Sequence, residues 1–157
     1  MEELRSPRVK FFGWLLLQER IQCRANLAKK NILDSDTREL CGQSAENCDH
    51  LVFHCPVANS FWTHLGLDST SLPQVHRLWK MRRPDHIPQV LFSTMILLCC
   101  WQLWNHRHDV VFRQQQPSLS RLLATCKAAC RLWSCRLRSQ DKWVVDYWCD
   151  KFVSSSP

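Results

Sequence analysis

The chain is predicted to be mainly α-helical, and three observations carry that prediction. There are three glycines in 157 residues and few turn dipeptides, which argues against a many-stranded β fold. Apolar residues recur at helical rather than alternating spacing through several stretches. Pro7 and Pro56 stand where such stretches begin, and Pro117 stands between two of them, positions that suit a residue lacking a backbone N–H. The apolar share of 45% and charged share of 22% are those of a globular protein, and a chain of this length can bury a sizeable core.

The elements follow in order. Residues 7–18 read as a helix with a dense apolar run, Val9, Phe11, Phe12, Trp14, Leu15, Leu16 and Leu17. Residues 22–30 form a second, short helix with Leu27 and Ala28 between basic positions. Residues 32–40 are polar and turn-rich, and Cys41-Gly42 is the clearest turn. From His50 the pattern is helical again, restarting at Pro56 and stopping at Gly66. Residues 67–86 read as a linker containing Pro73, Pro84, Lys80, Arg82 and Arg83. A nearly uncharged helix over 87–112 follows. It is interrupted by polar residues and barely long enough for a bilayer, so it reads as a core helix and not a membrane span. Residues 118–138 give the best amphipathic pattern, with Leu119, Leu122, Leu123, Cys126, Cys130, Trp133 and Leu137 in one stripe. Trp143, Tyr147, Trp148 and Phe152 close the chain before a Ser-rich tail at 153–157, expected to be disordered.

Charge and cysteine narrow the function classes. The net charge is +7, and residues 113–138 carry Arg113, Arg121, Lys127, Arg131, Arg136 and Arg138 with no acid. A basic balance suits nucleic acid. Lys127, Arg131 and Arg138 share one predicted face, and Arg24, Lys29 and Lys30 form a second patch; the bland alternative for both is a solvated surface. Trp14, Trp62, Trp101, Trp104 and Trp133 lie in apolar stripes and read as core rather than base-stacking platforms. The ten cysteines lack a preceding signal-peptide pattern, so a reducing compartment, nucleus or cytoplasm, is expected, and no membrane. Cys99, Cys100, Cys126 and Cys130 fit helical apolar patterns as small buried hydrophobes. Carboxylates are scattered, so no two-metal or nucleophile-based active site can be assembled, and a non-enzymatic role is expected.

Within 15 residues stand Cys41, Cys48, His50 and Cys55. Thiolates and imidazole are the ligands zinc prefers, and four close a tetrahedral site. Without a CxxC pair, reduced and unligated side chains remain an open alternative.

The stretch from Ser6 to Leu67 resembles the reverse transcriptase zinc-binding domain of plant non-LTR retrotransposon polyproteins. The entry Pro7-Arg8-Val9-Lys10-Phe11-Phe12-Gly13-Trp14-Leu15 is similar to the family's aromatic first helix, and Arg24-Ala25-Asn26-Leu27-Ala28-Lys29-Lys30 to its second. Cys41-Gly42, Glu46, Asp49-His50-Leu51, Cys55-Pro56 and Phe61-Trp62 follow the metal segment's order. Trp101, Trp104, Arg107 and Phe112 extend the resemblance loosely to residue 112, with His108 where the family has Asn.

The resemblance implies zinc on Cys41, His50 and Cys55. Arg38 stands where the family's first Cys ligand belongs, and a guanidinium has no lone pair for a metal. Cys48 is the substitute donor at hand. A small Cys/His zinc-type knuckle between short helices is therefore expected over 1–66. A linker at 67–86 and a helical hairpin or bundle extension over 87–152 follow it. The function implied is a non-enzymatic retroelement module associated with RNA or DNA. A helical interaction or self-associating fragment, or a decayed remnant, are the alternatives.

Overall fold

The computed structural model describes residues 6–32, 46–67 and 74–153. Its elements are α1 (Pro7–Leu17), α2 (Arg24–Lys29), a π-helical turn (His50–His54), α3 (Pro56–His64), a 3-10 turn (Val75–Lys80), α4 (Gln89–Arg113), α5 (Leu119–Trp133) and α6 (Trp143–Lys151), with short 3-10 turns between the last two. No strand occurs among the described residues. The chain is mainly α, as its composition predicts.

Local chemistry sets the helix boundaries. Ser6, in an extended conformation, accepts the Val9 N–H on its Oγ at 3.3 Å, and Pro7 takes the first helical position. Ser118 caps α5 the same way, accepting from Arg121 N at 3.2 Å. The ends of α1, α2 and α3 share one closure. Glu19, Asn31 and Gly66 adopt left-handed φ values of 55°, 56° and 70°. In each, the next N–H reaches back five residues, from Arg20 to Leu15 O, Ile32 to Leu27 O and Leu67 to Trp62 O. This is the Schellman geometry, which satisfies carbonyls that would otherwise be orphaned.

The central element is α4. Its 25 residues make a rod about 37 Å long at 1.5 Å per residue. It packs against α1, the π turn and α5, and α5 in turn packs on α6 and α3. One cluster of buried side chains runs through all of these elements. Gly13 permits the close crossing of α1 and α4: a Cβ there would stand 2.8 Å from Leu97 Cδ1. Within 67–86, the segment read as a linker, Val75 and Leu78 of the 3-10 turn are buried. Val75 N donates to Asp49 Oδ1 at 2.6 Å, which ties that turn to the start of the π turn.

Two expectations are corrected. The amphipathic helix of 118–138 ends at Trp133. Ser134 Oγ and Cys135 Sγ bond back to the carbonyls of Arg131 and Leu132, tightening the chain into a 3-10 turn. Arg138 thus leaves the helix that carries Lys127 and Arg131. Trp14 is not core: it is 52% exposed, whereas Trp62 is fully buried and Trp101, Trp104 and Trp133 are half-buried. The buried cysteines behave as expected. Burial pushes the Cys99, Cys100 and Cys130 thiols up, which keeps them protonated. No described helix is long and apolar enough to cross a membrane.

Candidate functional site

The π turn arises where two helical segments meet at a proline. Pro56 has no N–H, so Val52 O, four residues before it, loses its normal helical donor. Trp62, one and a half turns into α3, fills the gap: its indole Nε1 donates to Val52 O at 2.6 Å. The Cys55 N–H meanwhile reaches His50 O at 2.8 Å, five residues back, which widens the turn. The residue types of the family's metal segment therefore have a folding role of their own. Pro56 and Trp62 define the wide turn that sets His50 and Cys55 one turn apart.

His50 and Cys55 are both buried. Cys48 is also buried, and its thiol is hydrogen-bonded to that of Cys23 at the start of α2. That contact, outweighing burial, lowers the Cys23 thiol to about 7; the Cys48 thiol is raised because it keeps the shared proton. Cys23 carries no signal in the sequence that marks it as a partner for Cys48. Cys41 and Arg38 lie outside the described residues. Among the described residues no three His, Cys, Asp or Glu side chains converge to hold a metal ion. A closed tetrahedral site would therefore need donors from outside the described residues.

Glu46 and Arg107 anchor this segment to α4. Glu46 is 0% and Arg107 2% exposed. Arg107 Nη2 donates to Glu46 Oε1 at 2.7 Å and its Nε at 3.1 Å. The same Oε1 accepts the Arg24 N–H at 3.0 Å, and Glu46 O accepts Ala25 N at 2.9 Å. One carboxylate therefore neutralises a buried guanidinium and caps α2, where the helix dipole favours negative charge. Asn26 completes the frame, with its Nδ2 donating to Glu19 O at 2.7 Å and Ile21 O at 2.8 Å across the α1–α2 turn.

The basic candidates separate by environment. Lys29 and Lys30 are exposed at the end of α2, while Arg24 is half-buried and engaged beside Glu46. On the other side, Arg131 and Arg138 are exposed and Lys127 is half-buried. The structure adds two cations that the sequence patterns did not single out, Arg8 and Arg20. Arg8, Arg20 and Lys30 line a groove of about 360 Å³ with Phe11, Trp101 and Trp104. An adjoining hollow of about 430 Å³ is lined by Arg20, Lys29 and Lys30. Phe11, which lines the groove, stacks on Trp14 beyond it with centroids 6.1 Å apart, and the two are 62% and 52% exposed. Behind them an aromatic ladder runs from Phe12 through Trp101, Trp104 and His108 to Phe112.

Residues 2–62 match the model of a family described as zinc-binding in reverse transcriptase. Comparison with curated proteins and with solved structures returns no match. The matched segment spans α1, α2, the π turn and most of α3, and contains His50, Cys55 and the Pro56–Trp62 pair. Over residues 2–62 the chain is thus similar to the reverse transcriptase zinc-binding family.

Proposed function

We propose that the chain is a non-enzymatic, retroelement-derived module that associates with nucleic acid. The observation that carries the reading is the union of a reverse transcriptase-type domain with unpaired surface cations. Arg8, Arg20, Lys29 and Lys30 have no carboxylate partner among the described residues. Neutralising phosphates releases counterions, so binding must weaken as salt rises. The test is fluorescence anisotropy of labelled RNA with the full chain at two salt concentrations. Binding that falls steeply with salt is expected; no binding at low salt, or binding indifferent to salt, overturns the reading.

Within the same reading zinc is a structural ion held by Cys41, His50 and Cys55, with the fourth family position lost to Arg38. His50 and Cys55, set across one wide turn, are what supports it. Zinc would supply cross-linking there, tying the turn to the preceding loop. Restoring the donor with Arg38→Cys is expected to raise zinc content to one ion per chain, an order-of-one stoichiometry that the four-ligand pattern requires, and to raise Tm. Metal analysis and thermal melts of parent and variant check this, and a variant that holds no zinc overturns the ligand assignment.

A further inference from the structure

From the α1–α2 groove we infer that this protein holds an unpaired nucleic-acid strand, with a base on the Phe11–Trp14 platform and the backbone along Arg20, Lys29 and Lys30. The inference rests on the nucleic-acid reading above and gives it a site and a ligand class.

Three features of the groove point the same way. Its charge is one-sided: Arg8, Arg20 and Lys30 line it, Lys29 joins them in the adjoining hollow, and no carboxylate lines either among the described residues. Its aromatic content is accessible. Phe11 lines the groove and stacks on Trp14, three residues along α1, at an interplanar angle of 21°; both are more than half exposed. Large rings held in that way normally find burial, so a stacked pair left in water beside cations suits a flat ligand with an anionic backbone. Its walls are rigid. Arg20 is positioned by the Schellman closure of α1, its N–H bonded to Leu15 O at 2.8 Å. Lys30 stands where α2 closes in the same way, and Asn26 braces the turn between the two helices. These bonds fix the backbone that carries Arg20 and Lys30, so both side chains start from set positions beside the groove.

A single strand fits better than a duplex. Every base has a π-face to offer, but in a duplex those faces are stacked on neighbouring pairs and out of reach of Phe11 and Trp14. A groove volume of about 360 Å³ is also within the range that admits a small planar group with its sugar.

The experiment is anisotropy of a labelled single-stranded RNA about 10 nucleotides long, and of a duplex of equal length, with the full chain at low and moderate salt. The variants are Phe11→Ala with Trp14→Ala, Arg20→Glu with Lys30→Glu, and Arg131→Glu on α5 as a comparison. Because Phe11, Trp14, Arg20 and Lys30 are exposed, all should keep the parent's circular dichroism and melting curve. Loss of the rings is expected to weaken single-strand binding about tenfold to a hundredfold with the salt slope unchanged. Charge reversal is expected to weaken it and to make the salt slope shallower. Arg131→Glu should have a smaller effect. If Arg131→Glu abolishes binding and the groove variants do not, the nucleic-acid reading stands and the groove assignment falls. Equal affinity for duplex and single strand, with no effect of removing the rings, also overturns it. Groove variants that abolish self-association in sedimentation but leave RNA binding intact would make the groove a protein face and overturn it too. If no RNA binds at low salt, both readings fall together.

Discussion

Glu46 and Arg107 show how much one buried pair can be asked to do. Each ion alone would be costly in the interior, and the pair is tolerated because the carboxylate receives the guanidinium and the α2 N–H together. Glu46→Ala should cost about 3–5 kcal/mol, since it strands a buried positive charge and uncaps α2. Urea unfolding measures this, and a loss under about 1 kcal/mol would mean that the pair is not formed as described. His108 offers a pH signature at the same scale. Burial, aided by neighbouring Arg107, holds its imidazole below the usual value, against the opposing hydrogen bond to Trp104 O. The unfolded side chain therefore binds a proton near pH 6.5 while the folded one still resists it. Stability from this group is present above that pH and falls as pH drops through it. His108→Asn should flatten the fall in Tm between about pH 7 and pH 5; an unchanged profile would show that His108 is not its source.

At the scale of elements, three helix ends use the same left-handed closure with three different residues. Gly66 adopts it freely and Asn31 at modest cost, whereas Glu19 has a Cβ opposed to that conformation. Glu19→Gly should therefore stabilise the chain by about 1 kcal/mol, read from urea unfolding, because the exposed contact of Glu19 with His76 contributes little. A destabilised variant would contradict this account of the α1 end. The same comparison explains what was legible in the sequence. Pro7, Pro56, Gly66 and Pro117 announced helix boundaries because their backbone chemistry acts locally. The end at Glu19 was illegible because nothing in a glutamate favours positive φ; it is held by the Arg20 N–H bond to Leu15 O and by Asn26 Nδ2 on Glu19 O. The π turn was equally hidden: Pro56 is visible, but the indole that replaces its missing N–H arrives from ten residues away. Trp14 was misplaced because an apolar stripe records the residue types on a helix face and not whether a neighbour covers it.

At the scale of the molecule, α4 joins the family segment to the rest. Phe12 lies against Trp101 and Trp104, Glu46 binds Arg107, and α3 packs on α5. The full chain should thus unfold in one transition, with tryptophan fluorescence and far-UV circular dichroism coinciding; two separated transitions would contradict a shared core. The candidate site was legible only in halves. Lys29 and Lys30 stood out as a basic patch, but Arg8 and Arg20, the cations that share the groove with Lys30, were scattered singly along the sequence. Glu46 and Arg107 each sat in a recognisable motif, yet their 61-residue separation left no local sign of the pairing. That pairing bears on what can be inherited. The family match stops at residue 62, but a copy cut there would keep the Glu46 carboxylate and lose the guanidinium that neutralises it. The unit that keeps this pair intact when duplicated or fused elsewhere therefore runs at least through α4.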